Sequence, residues 1–330
     1  MSGQENQLVD SFGRKHTYLR ISVTDRCNLR CQYCMPAAGL KWKEKKELLT
    51  FEEIEKLTRL FTAMGIRKVR LTGGEPLVRN NLCGLVAMLN FVPGLETLAM
   101  TSNATLLAPQ AEALKQAGLR HLNISLDSFD RSRFQEITRQ DALADVMAGI
   151  ESAIAARFPV LKLNMVPIKG FNDDEIFDFA QFAQKHKINV RFIEFMPFKD
   201  NQWQADKVVT FAEMKARLER RFQLEPVQQP QGEVARDYAL KGGGMVSFIT
   251  SMSESFCQSC NRLRLTSDGS MKSCLFFPPE INLRDALRQN APEEELRGMI
   301  LACLQGKPEA HPPAEEIAAA ENRSMIEIGG

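Results

Sequence analysis

Apolar and polar residues alternate in short runs along the first two-thirds of the chain. At 17–23, Leu19, Ile21 and Val23 alternate with Tyr18, Arg20 and Ser22. At 67–71, Val69 and Leu71 alternate with Lys68 and Arg70. At 120–126, Leu122, Ile124 and Leu126 alternate with Asn123 and Ser125, and at 160–166 Leu161, Leu163 and Met165 alternate with Lys162 and Asn164. A period of two predicts strands. Two more are expected at 96–101 and 188–195. Helical patterns separate them. Thr50 with Glu53, and Asn172 with Glu175, read as capping boxes, and Gly65 and Gly118 as helix stops. This alternation of strand and helix predicts a parallel sheet of the α/β class.

Parallel strands covered on both faces are nearly all apolar. These are not. One face packs on helices and the other carries cations, which are rarely buried without partners. The pattern favours an open, incomplete (β/α)6 barrel with a wet lumen for something anionic, over a sheet with one face in solvent. Arg191 on the sixth strand reads either as a lumen cation or as a surface one. Residues 226–260 break the pattern with Pro226, Pro230, Gly232 and Gly242-Gly243-Gly244. The glycine run lacks the Lys-Ser/Thr of a phosphate loop and reads as a turn. Short strands are expected at 236–240, 245–249 and 261–266, helices at 282–289 and 293–304, and a loose tail at 306–320. We divide the chain into a barrel, 1–225, and a C-terminal segment, 226–330.

The chain has 330 residues, 44% hydrophobic, with a net charge of +1. That is enough for a sizeable core, and gives no reason to expect nucleic-acid or membrane binding. No stretch approaches the roughly 18 apolar residues of a membrane span. The polar start lacks a signal-peptide core, so a cytoplasmic location with reduced thiols is expected. Six of the eight cysteines fall in two clusters and read as metal ligands, not disulfides. Cys83 and Cys303 read as ordinary buried thiols.

The first trio is Cys27-x3-Cys31-x2-Cys34. An iron–sulfur cube usually takes four thiolates, so three leave one iron open. The trio follows strand one directly. Gly73-Gly74-Glu75-Pro76 follows strand two, Thr101-Ser102-Asn103 ends strand three, and Ser125-Leu126-Asp127-Ser128 ends strand four. All therefore fall at the carboxyl end of the barrel, where such sites gather. Paired glycines let a ligand approach the backbone. The second trio is Cys257, Cys260 and Cys274. Cys-x2-Cys plus a third cysteine also suits zinc. The only histidines are His16, His121, His186 and His311, and none is close in sequence to this trio, which favours a cluster.

With Gly-Gly-Glu-Pro, the first trio resembles the radical S-adenosylmethionine superfamily. The resemblance implies two things there. The open iron of a [4Fe-4S] cluster on Cys27, Cys31 and Cys34 chelates S-adenosylmethionine, and one electron cleaves the sulfonium to give a 5′-deoxyadenosyl radical. It places Tyr33, Gly74, Ser125 and Met196 around that cofactor. The second trio, in Phe256-Cys257-Gln258-Ser259-Cys260-Asn261-Arg262-Leu263-Arg264, is similar to the GTP 3′,8-cyclase family of molybdenum-cofactor biosynthesis. That likeness spans nearly the whole chain, including Tyr18-Leu19-Arg20, Val69 to Pro76 and Phe192-Ile193-Glu194. It implies a second [4Fe-4S] cluster on Cys257, Cys260 and Cys274 that meets the guanine of GTP. It matches Arg20, Arg70, Thr101, Lys162, Arg262 and Arg264 to nucleotide binding, and Gly329 and Gly330 to a tail needed for catalysis. The implied reaction removes hydrogen from ribose C3′ and joins it to guanine C8, giving 3′,8-cyclo-7,8-dihydro-GTP. An external one-electron donor, a homodimer and hand-off to the next enzyme, cyclic pyranopterin monophosphate synthase, are implied too. Ala104 stands where a glycine is common in the family, which puts that turn's geometry in question.

Two alternatives compete. A different radical enzyme, modifying peptides through an auxiliary cluster, leaves the cationic face unexplained. A non-catalytic protein with zinc in both trios would be colourless and free of iron.

Overall fold

The computed structural model describes residues 7–36, 40–199, 201–229, 232–277, 281–320 and 324–329. Six strands come first: β1 (Tyr18–Ser22), β2 (Lys68–Thr72), β3 (Thr97–Ser102), β4 (His121–Ser125), β5 (Val160–Met165) and β6 (Asn189–Ile193). They pair in sequence order, all parallel. The outer face is covered by α1 (Phe51–Ala63), α2 (Leu82–Asn90), α3 (Ala111–Gln116), α4 (Arg131–Thr138), α5 (Leu143–Ala155) and α6 (Ile176–His186).

The alternation decides which face is which. Leu19, Ile21, Val69, Leu71, Leu122 and Ile124 are fully buried outward, against residues such as Leu57 and Phe61 of α1 and Ile150 of α5. Burying each such side chain stabilises the fold by about 1.5–3 kcal/mol. Helix α1 opens with a reciprocal cap: Thr50 Oγ1 accepts from Glu53 N–H at 3.2 Å, and Glu53 accepts from Thr50 N–H at 2.8 Å. Such a cap contributes about 1 kcal/mol. Gly65 and Gly118 take φ of +113° and +112°, which favours glycine at these helix stops.

The expected second box does not form. A 3-10 turn, Asp173–Glu175, precedes α6, and Asn172 makes no cap bond. Its buried amide instead bridges Ile168 N–H and the carbonyls of Asp127 and Val166, while Glu175 accepts from Ser128 and Phe129. Both side chains tie the loops after β4 and β5 together.

The later strands join the same sheet. β7 (Leu224–Pro226), β8 (Ala235–Leu240) and β9 (Met245–Ile249) form an antiparallel run, and β9 pairs parallel with β6. β10 (Arg262–Leu265) pairs parallel with β1, and β11 (Ser270–Lys272) and β12 (Ile281–Asn282) follow antiparallel. The order is β12-β11-β10-β1-β2-β3-β4-β5-β6-β9-β8-β7. The six-stranded barrel is thus extended by a parallel strand at each edge. Glu233, before β8, reaches across to Lys68 of β2 at 3.3 Å, so the sheet curls on itself. Helices α7 (Phe211–Leu218), α8 (Leu283–Arg288), α9 (Glu293–Gln305), α10 (Ala314–Ala319) and α11 (Met325–Ile328) complete the described fold. The expected loose tail at 306–320 instead holds α10 and a buried Lys307. Among the described residues no helix is long and apolar enough to cross a membrane.

Candidate active site

The curled sheet encloses a cavity of about 370 Å³ at the carboxyl ends of the strands. The inward residues of β1 to β6 line it, as the period of two requires: Tyr18 and Arg20, Lys68 and Arg70, Thr101, Asn123 and Ser125, Lys162 and Asn164, Arg191. β10 adds Arg262 and Arg264. Cys27, Cys31 and Cys34 line one end, with Tyr33, Gly74 and Met196 beside them. The surface reading of Arg191 fails, because its side chain is within this cavity.

Strand register sets the charge pattern. Arg20 is the direct neighbour of Arg70 on one side and of Arg264 on the other. Tyr18 stands in the next row between Lys68 and Arg262, both of which lie over its ring, at 4.9 and 5.5 Å. Like charges directly opposite destabilise a sheet. Burial, with Arg262 second, holds Arg264 down to about 10, and burial with Arg191 holds Lys162 down to about 8. Arg191 is lowered to about 10 by burial, then by Arg70 and Arg262. Arg191 Nε, Arg262 Nε and Arg264 Nη1 are buried donors with no protein partner. An anion with several oxygens would supply both the partners and the countercharge.

The cysteine loop sits over β1 and β2 at one end. Burial pushes the Cys27 thiol up to about 11. Burial, reinforced by Cys27 and Asp127, pushes Cys34 up to about 12. Metal coordination reverses such shifts by taking the thiolate. Leu29 N–H and the Asn103 amide donate to Cys27 sulfur at 3.4 and 3.8 Å, and Ile326 N–H donates to Cys34 sulfur. No other cysteine lines the cavity among the described residues. Three half-buried thiols, two of them met by amide N–H groups, fit an incompletely ligated cube. Among the described residues no three Cys, His, Asp or Glu side chains gather closely enough for a single metal ion.

The glycine pair has a reason that precedes any ligand. A Cβ on Gly74 would stand 2.2 Å from the Arg26 carbonyl oxygen, and one on Gly73 2.6 Å from that of Thr24. The glycines let the cysteine loop itself lie on β2. Glu75 then locks the neighbouring loop. Its buried carboxylate accepts from Ser102 Oγ, Asn103 N–H and Leu77 N–H at 2.8, 2.6 and 3.0 Å. Ala104 takes φ +63°, the left-handed region where glycine is at ease, and its methyl is fully buried. The questioned turn therefore keeps a glycine-like backbone.

Cys257, Cys260 and Cys274 do not line the cavity, but their neighbours Phe256, Arg262 and Leu275 do. Glu194 holds their loop. Its fully buried carboxylate accepts from Met252 N–H and Ser253 N–H, both at 2.8 Å, from the Ser253 hydroxyl, and from Phe211 N–H. Although no histidine is close to this trio in sequence, the fold brings one to it. His311 hydrogen-bonds Cys257, and against burial this bond and one from Ser255 bring the thiol down to about 7. Lys307 Nζ lies 3.5 Å from Cys260 sulfur. Neither was visible in sequence spacing, because α8 and α9 separate them from the trio.

The tail approaches the chamber at the end that holds the first trio, where Ile326 meets Cys34. Met325 lines it, and Gly329, at φ +87°, packs so that a Cβ would stand 2.7 Å from Ser22 Cβ. Gly330 lies outside the described residues.

Comparisons with known proteins agree with this geometry. Residues 21–183 match the family model Radical SAM superfamily, and 188–313 match Molybdenum Cofactor Synthesis C. The chain is 47% identical to GTP 3′,8-cyclase, mitochondrial, of Arabidopsis thaliana, covering 98% of this chain and 84% of that one. It is 44% identical to GTP 3′,8-cyclase of Moorella thermoacetica over 98% of this chain and all of that one. It is 46% identical to molybdenum cofactor biosynthesis protein 1 of Mus musculus, over 98% of this chain and 51% of that longer protein. Among solved structures, Streptococcus suis SuiB bound to its precursor peptide SuiA is similar in fold, with a TM-score of 0.61 at 13% identity over 94% of this chain and 75% of that one. With near-full-length likeness on one side and a barrel carrying the three-cysteine loop on the other, the chain belongs to the GTP 3′,8-cyclase family of the radical S-adenosylmethionine superfamily.

Proposed function

We propose that this chain is the radical enzyme that cyclises GTP to 3′,8-cyclo-7,8-dihydro-GTP, the first step of molybdenum-cofactor biosynthesis. The observation that carries the reading is the in-register row Arg264, Arg20, Arg70 in the same cavity as the first cysteine trio. GTP matches that row: its phosphates suit Arg20 and Arg70 in charge and in bidentate geometry, and its base falls on the Arg264 side.

Cys27, Cys31 and Cys34 would hold a [4Fe-4S] cluster, and Tyr33, Gly74, Ser125 and Met196 would surround S-adenosylmethionine. Together these supply a carbon-centred radical that abstracts hydrogen. The protein's own part is placement. Arg20, Arg70, Thr101 and Lys162 bind ribose and phosphates, and Arg191 joins them. Arg262 and Arg264 hold the base side next to a second cluster on Cys257, Cys260 and Cys274. Holding the ribose still matters because a radical must meet one hydrogen and not its neighbours. Gly329 and Gly330, in the tail, act in catalysis.

The barrel, 1–225, holds the cofactor and the phosphate and ribose contacts, and the segment 226–330 carries the second cluster, Arg262, Arg264 and the glycine tail. The enzyme works in the cytoplasm as a homodimer, takes electrons from an external donor, and passes product to cyclic pyranopterin monophosphate synthase.

The test is anaerobic incubation of iron-loaded protein with GTP, S-adenosylmethionine and reductant, followed by mass analysis of the nucleotide. Two cubes predict roughly eight irons per chain. Unaltered GTP alongside cofactor cleavage would overturn the substrate assignment. A colourless, iron-free protein would overturn the radical reading.

A further inference from the structure

Lys307 is a buried cation that the substrate cavity does not use. It is 4% exposed and follows α9. Its Nζ lies 2.6 Å from the Ser273 carbonyl, 3.1 Å from the Arg262 carbonyl and 3.5 Å from Cys260 sulfur. Among the described residues no carboxylate pairs with it. An ammonium has three donors and no acceptor. Two of its partners are carbonyls, which only accept. The third donor therefore points at a sulfur that accepts, as a thiolate does. An unpaired ammonium this deeply buried is costly without a countercharge. The cysteine set provides one.

We propose that Lys307 is a positioning residue for the second cluster, supplying the fixed positive charge that raises its reduction potential. This rests on the reading that Cys257, Cys260 and Cys274 hold iron. One electron from a low-potential donor adds one negative charge to the cluster, and no bond breaks. A cation hydrogen-bonded to a ligand sulfur stabilises that added charge, and hydrogen bonds and net charge are what set such potentials. The same ammonium fixes geometry. Ser273 precedes Cys274, and Arg262 begins the strand that points two arginines at the cavity. Lys307 thus ties two ligand loops and the substrate-facing strand to one point.

The experiment uses the full chain with Cys27, Cys31 and Cys34 all changed to Ala, so that only the second set can hold iron. Potentiometric titration by electron paramagnetic resonance then compares this parent with Lys307→Met, Lys307→Gln and Lys307→Arg. The parent should hold about four irons. At a fixed potential, Met and Gln should lower the reduced-to-oxidised ratio at least tenfold, 59 mV for one electron. Arg should stay near the parent. A parent without iron overturns the cluster reading itself. A loaded parent whose potential is unchanged in both neutral variants overturns only the role of Lys307. Loss of iron in Met and Gln but not Arg supports the charge. Loss in all three means shape matters, not charge, and sinks the proposal.

Discussion

Arg70 Nε donates to the Tyr18 hydroxyl at 2.6 Å, from the strand beside it. Burial raises the phenol's pKa, but Arg70, Arg20, Arg262 and Lys68 outweigh it and bring Tyr18 down to about 7. The lowered value has a testable sign. Ionisation of Tyr18 should add stability as pH rises from about 7 toward 10, the range over which only the folded state carries tyrosinate. That stability is lost as pH falls through about 7. Ultraviolet tyrosinate absorbance of the nucleotide-free protein should show one group titrating near neutrality, absent in Tyr18→Phe. GTP, by neutralising the cations, should move it upward. A nucleotide-insensitive titration would mean the triphosphate lies elsewhere.

Arg264 is set against Arg20 in register, with a buried donor unpartnered. Replacing it with Met, similar in length and apolar, removes a buried charge whose desolvation costs several kcal/mol. Arg264→Met should therefore raise the melting temperature of the nucleotide-free protein. It should weaken GTP binding about tenfold to a hundredfold, the loss of about 1.5–3 kcal/mol expected for a hydrogen bond to a charged group. Calorimetry with and without GTP checks the opposite signs. Parallel losses in both would make the arginine structural.

Gly74→Ala tests the packing account of the glycine pair. Its methyl would meet the Arg26 carbonyl at 2.2 Å and Cys27 N at 2.9 Å, all backbone atoms with no flexible end to yield. Displacement of the loop should cost the first cluster, leaving about four of the roughly eight irons, and abolish S-adenosylmethionine cleavage. Full iron with weak cofactor affinity would instead locate the need for glycine in the ligand contact.

Glu194→Ala should act at the opposite end. It leaves three backbone N–H groups and one hydroxyl without their acceptor, a loss of about 1–3 kcal/mol or more. The loop before Cys257 should loosen. We expect loss of the second iron set and of cyclisation, with uncoupled cofactor cleavage retained. Iron analysis and deoxyadenosine release read the two separately.

Gly329→Ala probes the tail. The backbone there is left-handed and the added methyl would press on Ser22 Cβ at 2.7 Å. Product formation should fall at least tenfold with both iron sets present. Unchanged turnover would return the tail to a passive role.

Much of the chamber was legible in the linear order of residues. On a strand, side chains alternate whatever the rest of the protein does, so Arg20, Arg70, Thr101 and Lys162 were bound to share a face opposite Leu19, Leu71 and Leu122. The Cys-x3-Cys-x2-Cys spacing is equally local, and so is the Thr50–Glu53 cap. What lay beyond reach depends on contacts between distant segments. β10 pairs with β1 across more than half the chain, and no local period encodes which edge it joins. That pairing alone sets Arg264 beside Arg20. Asn172 resembles a cap by spacing, yet tertiary partners claimed its amide. Lys307 and His311 sit in a stretch whose composition suggests a loose tail, and only the folding back of α9 carries them to Cys260 and Cys257. The glycine pair suggests close approach to a ligand, and only the tertiary structure shows that the cysteine-loop backbone already occupies the space a Cβ at Gly73 or Gly74 would take. Periodicity and short motifs report forces acting within a few residues. Charge crowding, orphaned donors and loop-to-loop clamps arise only when the sheet curls and brings far-separated segments into one desolvated space.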